Sequence, residues 1–424
     1  MATDEFSLPS AHRALEPVKL CMSAVVAGSI LSLAMSRNFY DSSMTSAFLA
    51  LAIASAFVIL VVLRRSWSDL VLVLLSAAII AFVDLYVRHF PYRFMAWFSF
   101  VGMGSFLVMA LRTVWSEKQD RKLMLCAFLP TALFVASDYM ASTLLDITEK
   151  LHPKVFDLYL YYFDCSLGVQ ISFVLGQLLR GAPWLRFACL AFYLALPLPL
   201  ALVYAARLRQ NVSAALPVML AFLITGPVGI LFYNVLPACG PVHLFGPGFP
   251  LHPPAIADVM RSPVVTVLIP HDARNAIPSL HMTWVLLVWW GSRKLSAWIR
   301  GVAFTFLAFT TLATMGIGEH YFVDIVVAYP CAVMIVALCS YTVSFSNAAR
   351  RLAFLWGTFG TLLWFALLSF ATPVFGISRA IPWVMVVVTI AISVIVQSRL
   401  QKELEVQPHS EMTATAEKVM AQHA

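Results

Sequence analysis

The sequence predicts an all-α fold: a polytopic membrane helix bundle of about twelve transmembrane helices, with both termini on the cytoplasmic side. Three observations predict it. Of 424 residues, 61% are hydrophobic and 12% are charged, whereas soluble domains carry roughly 25% charge. Mean hydropathy is +0.85. Windows of roughly 18 to 22 apolar residues recur along the chain, the length a helix needs to cross a hydrocarbon core of about 30 Å.

Taken in order, the spans fall near 18–36, 45–63, 70–87, 94–111, 123–145, 187–206, 214–236, 279–292, 301–318, 321–345, 352–371 and 381–398. The first is preceded by a polar stretch with Pro9 and Pro17 and reads as an uncleaved helix rather than a signal peptide. The eighth is short, ending before Arg293. With the termini inside, 18 of the 28 Lys and Arg residues fall on the cytoplasmic side, which is the bias the positive-inside rule requires. The net charge of +7 therefore points to anionic lipid heads, and no nucleic-acid partner is expected. Seven cysteines without a C-x-x-C pair read as small packing residues.

Two outer connections are long. Residues 146–186 mix aromatic and apolar residues with Asp157 and Asp164, the composition of an interfacial or re-entrant helix. Residues 236–278 hold "LPACGPVHLFGPGFPLHPP", where proline and glycine set turns and exclude helix. The tail from Gln401 is polar, the composition of a mobile end.

Chemistry concentrates in two short stretches, "RNAIPSLHMTW" from Arg274 and "GEHYFVDIVVAYP" from Gly318. His281 opens the eighth span and His320 closes the ninth, so a helical hairpin brings them to one face, the outer one under this topology. His320 and Asp324 are four apart, one helical turn on one face. A carboxylate so placed fixes the imidazole tautomer and leaves the other nitrogen free as a nucleophile or base. Buried polar pairing and headgroup-level snorkelling are the plainer readings of such residues; ionisable groups in spans are functional candidates by default. Two His and one Asp also number enough for zinc, but no H-E-x-x-H is present, and neither metal nor cofactor is expected.

"NAIPSLHMTW" followed by "GEHYFVDIVVAYP" resembles the second and third motifs of the type-2 phosphatidic acid phosphatase superfamily, P-S-G-H and S-R-x(5)-H-x(3)-D. P-S-L-H, H-Y-x-x-D and the pair Asp157 and Asp164 resemble the branch containing inositol phosphorylceramide synthase. The resemblance covers about residues 150–345. It implies a six-helix catalytic core within 123–345, flanked by helices of unknown role in 1–122, two further helices in 346–400 and a cytoplasmic tail in 401–424. It implies His320 as the nucleophile that takes the phosphoryl group, Asp324 as its orienter, and His281 as the acid that protonates the leaving oxygen. Ser279, Arg274 and His271 become candidates for holding the phosphate; Asp157, Asp164 and His243 become candidates for the headgroup.

Three cationic positions of the family's motifs are replaced here, by Tyr233, Gly240 and Thr314, and Leu280 stands for the glycine of P-S-G-H. That favours a phosphotransferase acting on lipid phosphodiesters, with phospholipid or sphingolipid substrates. A phosphatase for lipid monophosphates or polyprenyl diphosphates is the alternative, and a lipid transporter or scramblase is the alternative of another class. The expected location is a cell inner or plasma membrane, with the site facing away from the cytoplasm.

Overall fold

The computed structural model describes residues 46–422, apart from 65, 84–85, 87–93, 116–117 and 270. The span expected at 18–36 lies outside the described residues. Helices α1 (Ala47–Leu63), α2 (Trp67–Val83), α3 (Ala96–Trp115) and α4 (Lys118–Leu151) come first. They are followed by α5 (Asp157–Ser166), α6 (Ile171–Gly181), α7 (Pro183–Leu194), α8 (Pro197–Gln210) and α9 (Val212–Val235). After two short helices, α10 (Pro241–Phe245) and α11 (Ile256–Arg261), come α12 (Leu280–Gly291), α13 (Ala297–Gly316), α14 (Phe322–Cys339), α15 (Ala348–Phe370) and α16 (Ala380–Gln422).

Among the described residues, seven helices are long and apolar enough to cross a membrane, or up to nine if each of two bent pairs forms one span. One bent pair is α5 and α6, which meet at 89°. This is the segment whose composition suggested a re-entrant element. The other is α7 and α8, bent by 47°, where Pro197 and Pro199 open the second helix and cannot donate to the preceding turn.

Two expectations need correction. The connection 236–278 contains α10, α11 and a 3₁₀ turn at Gly246–Gly248. Pro241 occupies the first turn of α10, where its missing N–H costs nothing, so proline there starts a helix instead of excluding one. The tail does not end its helix at Gln401, because α16 continues to Gln422. Its first polar turn is tied down: Glu405 pairs with Arg293 and Lys294, and Asn347 donates to Glu403.

Lipid tails are as apolar as leucine, so helix association in a membrane depends on close packing rather than on leaving water. Gly102 shows how α3 meets α1: a Cβ there would lie 2.3 Å from the Ile53 carbonyl oxygen. The main core is built from α1, α4, α8, α9, α12 and α14. A second core, rich in aromatics such as Tyr161, Phe163, Tyr321, Trp364 and Phe375, packs α5 against α14, α15 and the loops at 236–238 and 276–277. A two-residue antiparallel ladder, Lys154–Val155 with Val267–Leu268, closes the loops over that end.

Candidate active site

α12 and α13 form a hairpin packed together, and the loop 317–321 after α13 returns to the start of α12. The two motifs touch through their backbones. Ser279 donates its amide to the Asp324 carbonyl at 3.3 Å, and its hydroxyl accepts from the Met282 amide as the N-cap of α12. Both polar groups of Ser279, the residue expected at the phosphate, are engaged in this way.

The Nδ1 of His320 lies 2.7 Å from the carbonyl oxygen of Ala276. A carbonyl only accepts, so Nδ1 carries the proton and Nε2 of the neutral ring carries the lone pair. Asp324 approaches the same Nδ1 at 3.5 Å through Oδ2, an oxygen that also accepts from the Tyr321 amide at 2.8 Å. The backbone on either side of the ring is pinned as well. His320 donates its amide to Thr314, and its carbonyl accepts from the Ser172 hydroxyl at 3.0 Å. Burial pushes the His320 imidazole down to about 4, although the neighbouring Glu319 charge and the Ala276 bond pull it up.

His281 sits one residue into α12 and is held by aromatic rings. Tyr193 of α7 stacks on it at 3.7 Å between centroids, with Phe48 of α1 and Trp284 edge-on at 5.6 and 5.9 Å. Its Nε2 is buried without a hydrogen-bond partner among the described residues. His281 at the start of α12 and His320 in the loop after α13 lie at the same end of the hairpin.

The remaining predicted residues take other places. Arg274 is wholly buried, and its guanidinium donates to the carbonyls of His152, Ile269, His271 and Asp272 and to the Cys239 thiol. It gathers the outer loops. His271 is exposed and pairs with Glu149 at 3.3 Å. Asp157 accepts from the amides of Cys239 and Gly240 and from the Tyr321 hydroxyl, while Asp164 accepts from the amides of Phe322 and Val323. Both carboxylates are fully buried and fix the ends of loops and of α14.

His243 lies between Asp272 at 3.3 Å and Glu319 at 3.6 Å. The Glu319 carboxylate beside it raises its pKa above the ordinary imidazole value, against the effect of burial. Burial pushes the Glu319 carboxyl up, but the adjoining His243 and the charges of His243 and His320 outweigh it and hold the group below the usual range.

Gly240 explains one missing cation. With φ at +102° and a would-be Cβ only 2.2 Å from the Glu319 carbonyl oxygen, the position admits no side chain. Tyr233 is buried on α9, and Thr314 turns its hydroxyl back onto its own helix. The sequence reading missed Tyr193, Phe48 and the Ala276 carbonyl. Glu319 stood in plain view beside His320, but no role was drawn from it.

No curated protein and no solved structure matches the chain. One family model does, and it spans the stretch from α5 to the last turn of α14 that holds both histidine motifs. That family consists of phosphatases and phosphotransferases, so the match supports a membrane enzyme of the phosphoric ester hydrolase type: residues 158–338 match the PAP2 superfamily.

Proposed function

We propose that this protein is an integral-membrane lipid phosphotransferase or phosphatase that works through a phospho-histidine intermediate. The observation that carries the reading is the His320 ring, with Nδ1 bonded to a carbonyl and Nε2 left as a lone pair. In the first half-reaction Nε2 attacks phosphorus, the bond from phosphorus to the leaving oxygen breaks, and His281 gives that oxygen a proton. In the second, His281 takes a proton from the acceptor hydroxyl, whose oxygen displaces His320. A covalent intermediate divides one difficult displacement into two easier ones.

Charge supports a phosphodiester donor over a monoester. The groups around the nucleophile include Glu319, with Asp272 beyond His243, and a dianionic monoester would meet more repulsion there than a monoanionic diester. Phospholipid-type or sphingolipid-type substrates, an inositol phosphorylceramide synthase-like transfer, twelve spans, termini in the cytoplasm and a site on the outer membrane face complete the proposal. The rival is hydrolysis of lipid monophosphates or polyprenyl diphosphates.

Purified protein is given short-chain phosphatidic acid, phosphatidylinositol with ceramide, or an isoprenyl diphosphate, and quenched adducts are mapped by mass spectrometry. The expected result is a phosphoryl-type adduct on His320, absent in His320→Ala together with turnover. Turnover that survives in His320→Ala overturns the mechanism. Exclusive transfer to water identifies the phosphatase reading.

A further inference from the structure

The helices before residue 158 have no part in the matched segment, yet one of them reaches the acid. Phe48, on the first turn of α1, packs edge-on to His281 and stacks on Trp284 at 6.1 Å and 23°. Tyr193 covers one face of the same imidazole, nearly parallel at 17°. The His281 side chain is thus enclosed by three rings from three helices. Its Nε2 is buried without a hydrogen-bond partner among the described residues, and a buried polar atom left unsatisfied is costly.

An aromatic enclosure suits what a general acid must do. The ring faces carry partial negative charge, so a stacked tyrosine favours an imidazolium over the neutral ring. Rings against both a face and the edges of the imidazole restrict how it can turn. Holding the donor nitrogen in place matters because misplacement of a catalytic group by about 1 Å costs around a hundredfold in rate.

We propose that Phe48, Tyr193 and Trp284 form an aromatic box that positions His281 as the proton donor, making helix α1 part of the active site. The inference rests on the phosphoryl-transfer reading above. The box residues are positioning residues: they act on the substrate through His281. The proton moves from His281 Nε2 to the leaving oxygen as the bond from phosphorus to that oxygen breaks, and the box compensates the charge of the imidazolium until it is discharged.

The test uses leaving groups. An alcohol leaving group needs the proton, whereas 4-nitrophenolate departs without it. Phe48→Leu and Tyr193→Leu are assayed in the full-length protein with a short-chain phosphatidyl lipid and with a 4-nitrophenyl phosphodiester. Each variant is expected to lose kcat by roughly three- to thirtyfold on the lipid, the range that one aromatic neighbour of a cation spans, with KM unchanged. The nitrophenyl ester should be turned over at close to the parent rate, and Phe48→Tyr should restore lipid turnover. Equal losses on both substrates would reduce the box to structural packing and overturn the inference, as would unchanged kcat on the lipid. His281→Ala and His320→Ala run alongside. If His320→Ala keeps its activity, the phosphoryl-transfer reading itself fails; if only the box variants behave as parent, that reading stands and the box alone falls.

Discussion

The Nδ1–H of His320 donates to the Ala276 carbonyl over 2.7 Å, a shorter contact than the 3.5 Å to Asp324. One motif therefore orients the imidazole of the other, and it does so with a backbone atom that no substitution removes. Ser279 reinforces the arrangement from the same loop through its bond to the Asp324 carbonyl.

The first prediction follows from that geometry. Where a carboxylate is the sole partner of a catalytic imidazole, replacing it with the amide costs about 10⁴ in kcat because the tautomer inverts. Here the carbonyl holds the tautomer by itself. Asp324→Asn is expected to lower kcat by about ten- to a hundredfold, the range of a supporting partner. Steady-state kinetics decide; a loss near ten-thousandfold would give the orienting role to Asp324.

A second prediction concerns acid. Burial holds the folded-state His320 at about 4, below the ordinary 6.5. The ring is then neutral from alkaline pH down to about 4, so if His320 is the proposed nucleophile log(kcat/KM) should show no break from it near 6.5 and should fall only as pH approaches 4. The same shift acts on stability. The unfolded chain takes up the proton below 6.5 before the folded one does, so stability falls as pH drops from 6.5 toward 4 and the loss levels off below that. A break in log(kcat/KM) near 6.5, together with the same change in stability from pH 6.5 to 4 in the parent and in His320→Gln, would show the site to be wetter than this.

Much of the site was legible because its residues break a pattern. Two His and an Asp at the edges of apolar runs stand out, and hairpin geometry alone brings His281 and His320 to one end. The residues whose surroundings were illegible are those whose role depends on what their polar atoms meet. Arg274 has the look of a phosphate ligand until five bonds to carbonyls and a thiol are found on it. Asp157 and Asp164, seven apart, resemble a headgroup pair, but the amides they cap lie about 80 and 160 residues further along the chain. Phe48 and Tyr193 were illegible for a different reason: aromatics in apolar helices carry no mark of which neighbour they will enclose.

The clamp formed by His243, Glu319 and Asp272 should open with alkali. Its raised imidazole pKa means that its stabilisation is complete below 6.5 and is lost as pH rises through the higher folded value. Glu319, held below 4.5, contributes above that value and loses its contribution as pH falls through its own lowered one. Hydrogen exchange at the amides of α10 is therefore expected to be slow in between and to accelerate on the alkaline side. In Glu319→Gln the alkaline edge should move down toward 6.5. An unmoved edge would mean that His243 owes its stabilisation to Asp272.

Asp164 separates a structural role from a binding one. Its two oxygens accept from the amides of Phe322 and Val323, the first residues of α14, and helix N-terminal amides have no partner within their own helix. Asp164→Ala removes both acceptors at a position with no exposure, and each buried amide left unpaired costs about 1–3 kcal/mol. The expected outcome is a fall of several degrees in the unfolding temperature in detergent, with kcat reduced because the start of α14 carries Asp324 and abuts His320. Asp164→Asn keeps one acceptor oxygen and should recover about half of the lost stability. If Asp164 instead held a substrate headgroup, the Ala variant would raise KM and leave the unfolding temperature where it was; thermal scans and Michaelis curves on the same preparations tell the two apart.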